Sequence, residues 1–279
     1  MLKFTAAGIV AAPRAVQVRV GSAAAGALGA GAPTPSRDMR PDEVEAAISW
    51  FTIGQRGPRA HRCDEVVLSA VVEPVAASLP ALVATARGWG VRRFVLHLTA
   101  PVAPIAEVDE VVVVARQPAD LTRLAGWTAR RVVVLPLEAR AMEDGSLDEA
   151  MAAAAAARPD SVVLSWPFPP GPTPAPPDAV VGWIDKHEAA LSRLTWTVKG
   201  IPGCLVGRHA ARRSRTRNRW YVDADQQGAA ALLVVPGLIR FARPDLCRFC
   251  ALDAVCDGVP AAWLDRGLAP GVHPIDPAA

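Results

Sequence analysis

The chain has 279 residues, 51% of them hydrophobic and 20% charged, enough to bury one large core or a large core and a small one. Its formal net charge of +3 supplies no global attraction for nucleic acid or an anionic membrane. No segment approaches the roughly 20 uncharged apolar residues that a membrane helix needs.

Met1–Val10 is apolar but short, Arg14 and Arg19 follow it without a signal-peptidase site, and it reads as the start of the domain. Apolar β-rich runs then recur at Ala15–Val20, Glu65–Ser69, Arg93–Leu98, Glu110–Val114, Arg131–Leu135, Ser161–Ser165 and, more briefly, Thr195–Lys199. Continuous runs such as Val111–Val114 suit strands buried on both faces, as in parallel sheets. Helical patterns lie between them at Pro41–Thr52, Leu79–Trp89, Ala119–Thr128, Leu147–Ala157 and Asp178–Leu194. The first opens on Pro41, Asp42 and Glu43, a strong helix start.

Alternation of this kind predicts parallel α/β architecture with right-handed crossovers, as a barrel or a doubly wound sheet. Ligands in such folds meet the loops after the strands' C-terminal ends. Three of these stand out: the Gly- and Ala-rich Gly21–Asp38, Val71–Ala77 with its lone Glu73-Pro74, and the proline-dense Trp166–Pro177, which predicts a stiff surface segment. His97, Glu138 and Ser165 are strand-end polar residues by position. Composition changes after Lys199, which sets an expected boundary between a 1–199 domain and a 200–279 module. The module holds an arginine-rich stretch, a hairpin over Trp220–Asp223 and Ala230–Val235, and a cysteine-rich segment.

Four of the five cysteines belong to this module. Cys247 and Cys250 form a Cys-x-x-Cys step, Cys256 follows, and Cys204 lies before the hairpin. Such spacing lets two thiolates bind one metal or cluster from a single turn, with a third and fourth completing the site. Zinc and iron–sulfur both suit thiolate coordination, and His209 is an alternative zinc ligand. Close-spaced thiols without a disulfide framework fit a reducing, cytoplasmic setting. Arg208, Arg212, Arg213, Arg215, Arg217 and Arg219 form a basic run suited to a phosphate, an acidic peptide or a partner's acidic face, with Arg212, Arg213 and Arg215 as candidate contacts. Asp223 and Asp225 read as residues that shape the hairpin turn or pair with these arginines, and Cys63 as a core or loop cysteine.

The run Cys247-Arg-Phe-Cys250-Ala-Leu-Asp-Ala-Val-Cys256 resembles the Cys-x2-Cys-x5-Cys element of the SPASM and twitch extensions of radical S-adenosylmethionine (SAM) enzymes. Lys199-Gly-Ile-Pro-Gly-Cys204 is similar to the entry of such an extension. The resemblance spans about residues 15–260. It implies a partial (β/α)6 TIM-like barrel carrying one auxiliary [4Fe–4S] cluster on Cys204, Cys247, Cys250 and Cys256. A second auxiliary cluster is not implied, because Pro260 stands where the full pattern has another cysteine. In the family, a Cys-x3-Cys-x2-Cys loop after the first strand holds the cluster that cleaves SAM to a 5′-deoxyadenosyl radical, which abstracts hydrogen from the substrate. Here Ala23, Ala27 and Ala30 occupy that spacing, so the resemblance implies a chain whose radical chemistry is absent, whether by natural degeneration or by cysteine-to-alanine replacement. Glu73-Pro74 matches the end of the family's SAM-contacting Gly-Gly-Glu-Pro, but Val71 and Val72 replace both glycines and weaken SAM binding. The substrate class implied is a peptide or natural-product precursor. The other readings are a non-catalytic partner that binds substrate or leader peptide for an active paralogue, and a zinc-stabilised α/β enzyme.

Overall fold

The computed structural model describes residues 2–5, 8–11, 13–22, 34–53, 62–169, 171–214, 218–233, 240–253, 256–269 and 271–273. Strands β1 (Leu2–Thr5) and β2 (Gly8–Ala11) pair antiparallel. The alternating region follows as β3 (Ala15–Arg19), α1 (Pro41–Thr52), β4 (Glu65–Ser69), α2 (Val75–Gly88), β5 (Arg93–His97) and β6 (Glu110–Val114). Next come β7 (Arg130–Pro136), α3 (Ala139–Glu143), α4 (Ser146–Ala157), β8 (Ser161–Ser165), α5 (Pro177–Lys186), α6 (Glu188–Leu191) and β9 (Trp196–Lys199). The remaining elements are short: β10 (Arg213–Ser214), β11 (Trp220–Val222), β12 (Leu232–Leu233), β13 (Phe241–Ala242), β14 (Val259–Pro260) and α7 (Ala261–Asp265). The chain is therefore mixed α/β with largely parallel strands, as the alternation predicts. Among the described residues no helix is long and apolar enough to cross a membrane.

Two compact units form. The first takes residues 1–114, 122–131 and 218–238, the second 115–121, 132–217 and 239–279.

In the first unit the strand order is β6-β5-β4-β3-β11-β12, parallel throughout except for the antiparallel β11–β12 pair. Register sorts the side chains by the two-residue period of a strand. Val16, Val66 and Phe94 align, as do Val18, Leu68, Leu96 and Val111, and all seven are fully buried. Helix α1 brings Val44, Ile48 and Phe51 into this core, and the Phe51 ring lies 5.4 Å from that of Trp220 on β11. The alternate positions Gln17, Arg19, Ser69 and Tyr221 are polar and yet buried. Burial of Gln17, Arg19 and Ser69 is tolerable because they bond: Gln17 Nε2 donates to Ser69 Oγ at 3.2 Å, its Oε1 accepts from Arg219 Nη1 at 3.1 Å, and Arg19 Nε donates to the Gly21 carbonyl at 3.2 Å.

In the second unit β7, β8, β9 and β10 lie parallel in that order. Asp148 joins α4 to α5. It accepts from Trp183 Nε1 at 2.7 Å and from Lys186 Nζ at 2.5 Å, and lies 2.9 Å from His187 Nε2. The Lys186 ammonium leads in holding its carboxyl at about 2, desolvation opposes it, and His187 and Trp183 add to the lowering. A depressed carboxyl stabilises the fold above its unfolded value near 3.8, and that stabilisation disappears as pH falls through about 2. Asp148→Asn should therefore cost about 1 kcal/mol near neutral pH, allowing for solvent screening of a side chain this exposed. In urea titrations the difference from the parent should close between about pH 4 and pH 2.

Several boundaries depart from those predicted. Residues 119–128, expected as an α-helix, form only a 3-10 turn over Pro118–Leu124. Asp120 Oδ2 accepts the backbone N–H groups of Arg116 and Gln117 at 2.9 and 3.1 Å, and Gly126 turns the chain at φ +78°. The run Asp178–Leu194 breaks at His187 into α5 and α6, and α2 begins four residues before the expected Leu79. The proline-dense loop, expected as a stiff surface segment, is instead pinned inward. Trp166 is fully buried and donates through Nε1 to the Ala175 carbonyl at 2.8 Å, and Trp263 of α7, also buried, donates to the Pro167 carbonyl at 2.8 Å.

Candidate metal centre

Each cysteine of the second unit is placed by backbone geometry that its neighbours dictate. After β9 the chain turns at Gly200, whose φ of +87° and 2.5 Å approach of a would-be Cβ to the Trp166 carbonyl admit only glycine. It then enters a 3-10 turn, Gly203–Leu205, that presents Cys204. Cys247 starts from a second 3-10 turn, Asp245–Phe249, which follows Pro244, and the Cys250 N–H bonds the Cys247 carbonyl at 3.0 Å. The Cys256 N–H bonds the Leu252 carbonyl at 2.8 Å. Strands β13 and β14 bracket this loop, pairing Phe241 with Pro260 and Ala242 with Val259. Gly258 closes it at φ +92°, where a Cβ would lie 2.5 Å from the Ala242 carbonyl.

The result is a cavity in the second unit lined by Cys204, Cys247, Cys250 and Cys256. All four are half-buried, and no disulfide forms among the five cysteines. Backbone N–H groups point at three of the sulfurs. Leu252 N lies 3.4 Å from Cys250 Sγ, Gly258 N lies 3.4 Å from Cys256 Sγ, and the His273 N–H bonds Cys204. Such donors favour the anionic sulfur that a metal requires. Arg243 binds the loop from the other side, donating to Asp253 Oδ1 at 2.7 Å and, more closely, to the Cys256 carbonyl.

Without a metal the thiols of Cys204 and Cys247 resist ionisation. Burial raises Cys204, with Cys256 and Cys250 adding to the effect and the His273 N–H opposing it. Burial likewise raises Cys247, helped by the other three sulfurs and opposed by Arg243. Mutual repulsion of this kind is what a bound cation relieves, so the donor set fits a metal or an iron–sulfur group. Among the described residues no group of three or more His, Cys, Asp or Glu is arranged around a single ion.

The other candidate residues disperse. His209, the alternative zinc ligand, does not line the cavity: its Nε2 lies 2.8 Å from Asp185 Oδ1 and its ring packs 5.8 Å from that of Trp196. Arg208 pairs with Asp185 and Glu188, Arg212 is exposed with its guanidinium 5.2 Å from the Trp196 ring, and Arg213 begins β10. Arg215 and Arg217 lie outside the described residues, as do Ala23, Ala27 and Ala30. Glu73 is exposed in the turn before α2. Just ahead of it the ends of β3 and β4 run so close that a Cβ on Gly21 would meet the Ala70 carbonyl at 2.6 Å. His97 is half-buried, Ser165 ends β8, and Glu138 accepts from Arg116 Nε at 3.1 Å. Asp223 shapes its turn as expected, its Oδ1 accepting the N–H groups of Asp225 and Gln226 at 2.9 Å, while Asp225 bonds Ser36. Tyr221 beside it has its phenol pushed up to about 12 by burial, against the pull of Arg19. Cys63 is buried and likewise pushed up to about 12 by desolvation.

Sequence reasoning missed Arg243 and His273. An arginine in an arginine-rich chain carries no signal, and His273 has no spacing relation to the cysteines.

No protein-family model and no curated protein matches this chain.

Proposed function

We propose that the second unit binds one [4Fe–4S] cluster through Cys204, Cys247, Cys250 and Cys256, in a chain of radical SAM type that does not generate the radical itself. The observation that carries this reading is the meeting of four thiols, from two separate segments, at one cavity. A single zinc draws its sulfurs to about 2.3 Å. The Cys-x2-Cys-x5-Cys spacing, which resembles that of auxiliary-cluster extensions, supports a multi-iron group over a single zinc. Within each unit the strand order is compatible with the wider resemblance: β3 to β6 in one and β7 to β9 in the other are consecutive parallel neighbours, as successive β/α repeats require, although these seven strands exceed the six that the resemblance implies. Alanine at positions 23, 27 and 30 offers no ligand atom, so SAM cleavage is assigned to the parent chemistry and not to this chain.

When bound, the cluster supplies a one-electron redox centre or a Lewis-acidic iron. The chain's own residues do the rest. The four thiolates hold it, the N–H groups of Leu252, Gly258 and His273 spread the sulfur charge, and Arg243 places a cation beside the Cys256 end of the loop.

Two measurements test this. Anaerobically purified protein should contain about four iron and four acid-labile sulfide per chain with broad visible absorption. Stoichiometric zinc with no iron would overturn the cluster. Replacing Ala23→Cys, Ala27→Cys and Ala30→Cys together should then about double the iron and release 5′-deoxyadenosine from SAM. If neither rises, the radical SAM reading falls while the cysteine centre stands.

A further inference from the structure

We infer that Arg243 is a positioning residue of the cysteine cavity: its guanidinium braces the span between Cys250 and Cys256 and, with Asp253, sets the reduction potential of the bound cluster. The inference rests on the cluster reading proposed above. Arg243 directly follows β13 and lines the cavity together with the four cysteines. Its Nη1 donates to the Asp253 carbonyl at 3.1 Å and to Asp253 Oδ1 at 2.7 Å, and its Nη2 donates to the Cys256 carbonyl. One rigid planar group thereby ties two points of the loop that carries Cys256. A lysine keeps the charge but cannot reproduce that fork.

The stem is fixed as well. A Cβ on Gly258 would lie 2.9 Å from Arg243 Cγ and 2.5 Å from the Ala242 carbonyl, so the arginine crosses the loop where only glycine leaves room. Apart from the cysteines and His273, Arg243 and Asp253 are the ionisable residues lining the cavity, and the rest of its lining is Pro, Gly, Ala, Leu and Val. Charges beside such walls are less screened than in open water. One-electron reduction adds a negative charge to the cluster, which a nearby cation favours and a nearby carboxylate opposes. The two side chains therefore pull the potential in opposite directions. Both are more than a third exposed, at 37% and 45%, so each effect is modest.

The test uses the full-length chain and its Arg243→Gln, Arg243→Lys and Asp253→Asn variants, each reconstituted anaerobically with ferrous iron and sulfide and titrated with dithionite. At the parent's midpoint potential, the reduced-to-oxidised ratio should fall about threefold in Arg243→Gln and rise about threefold in Asp253→Asn, a shift of roughly 30 mV each way for a one-electron couple. Arg243→Lys should stay near the parent. Iron release to a chelator should quicken about tenfold in both arginine variants and little in Asp253→Asn, which keeps the bonds to the two carbonyls. Arg243→Gln and Asp253→Asn break the same ion pair, so a purely structural role would move both potentials the same way. Shifts of one sign, or iron release from Arg243→Lys no faster than from the parent, would overturn the inference. A parent that takes up no iron would instead remove the cluster reading, and the inference with it.

Discussion

Cys250→Ser, reconstituted anaerobically, is expected to keep its fold and lose most of its iron. The sulfur of Cys250 lines the cavity, accepts the Leu252 N–H at 3.4 Å and sits half-buried, so an oxygen fits its space. An alcohol is a far poorer donor to iron than a thiolate, and a ligand loss of this kind costs about 10–100-fold in retention even where the residue only supports the site. Cys63→Ser supplies the contrast. Its sulfur is buried 3.7 Å from the Pro13 carbonyl, has no part in the cavity and is pushed up to about 12. Iron per chain should be unchanged there. Equal iron in Cys250→Ser and the parent would sink the assignment of this thiol, and iron analysis with circular dichroism separates ligand loss from unfolding.

Gly200→Ala should be among the most damaging single methyls in the second unit, alongside Gly258→Ala. The added Cβ would stand 2.5 Å from the Trp166 carbonyl and 3.3 Å from Phe168 Cζ, on a residue whose φ is +87°. The left-handed conformation costs an L-residue about 1–2 kcal/mol, and a backbone clash cannot be relieved by a rotamer change. The carbonyl belongs to a residue whose N–H bonds Lys199, so both sides of the contact are tied. A loss of about 3 kcal/mol is expected, lowering Tm by about 5–10 °C. Retention of the cluster should fall with it, because the same turn delivers Cys204. Gly182→Ala on the exposed side of α5 has open space around it and should be neutral or stabilise by up to about 1 kcal/mol. Equal Tm values for the two variants would show that the Gly200 turn is not constrained as described.

Strands β4, β6 and β8 begin and end where their apolar runs do, because strands flanked on both sides need uninterrupted apolar sequence. Helix α1 was equally legible at its start. Glu43 accepts the Arg40 N–H at 2.9 Å, and the Arg37 guanidinium is the main cause holding its carboxyl at about 2. Legibility failed where a few hydrogen bonds decided the outcome: at Asp120, which favours a tight turn over a helix, and at His187, where one helical period splits in two. It failed again where the chain returns to an earlier element, since nothing in Trp220–Val222 announces parallel pairing with β3. For the candidate site, cysteine scarcity made the four thiols conspicuous. That Cys204 lines the same cavity as the other three depends on the turn at Gly200 and on the β13–β14 pairing, neither of which a spacing rule encodes.

The interleaving of the two units has a bearing on biogenesis. The ribosome delivers Cys204 first, then the stretch 218–238 that completes the first unit's sheet, and only afterwards the three remaining thiols. A cofactor gripping all four would therefore act as a clasp, fastening a loop of chain that contains part of the neighbouring unit. On the proposed cluster reading, cofactor insertion would be the last act of maturation, and a nick between residues 218 and 238 would then leave both fragments joined through sulfur.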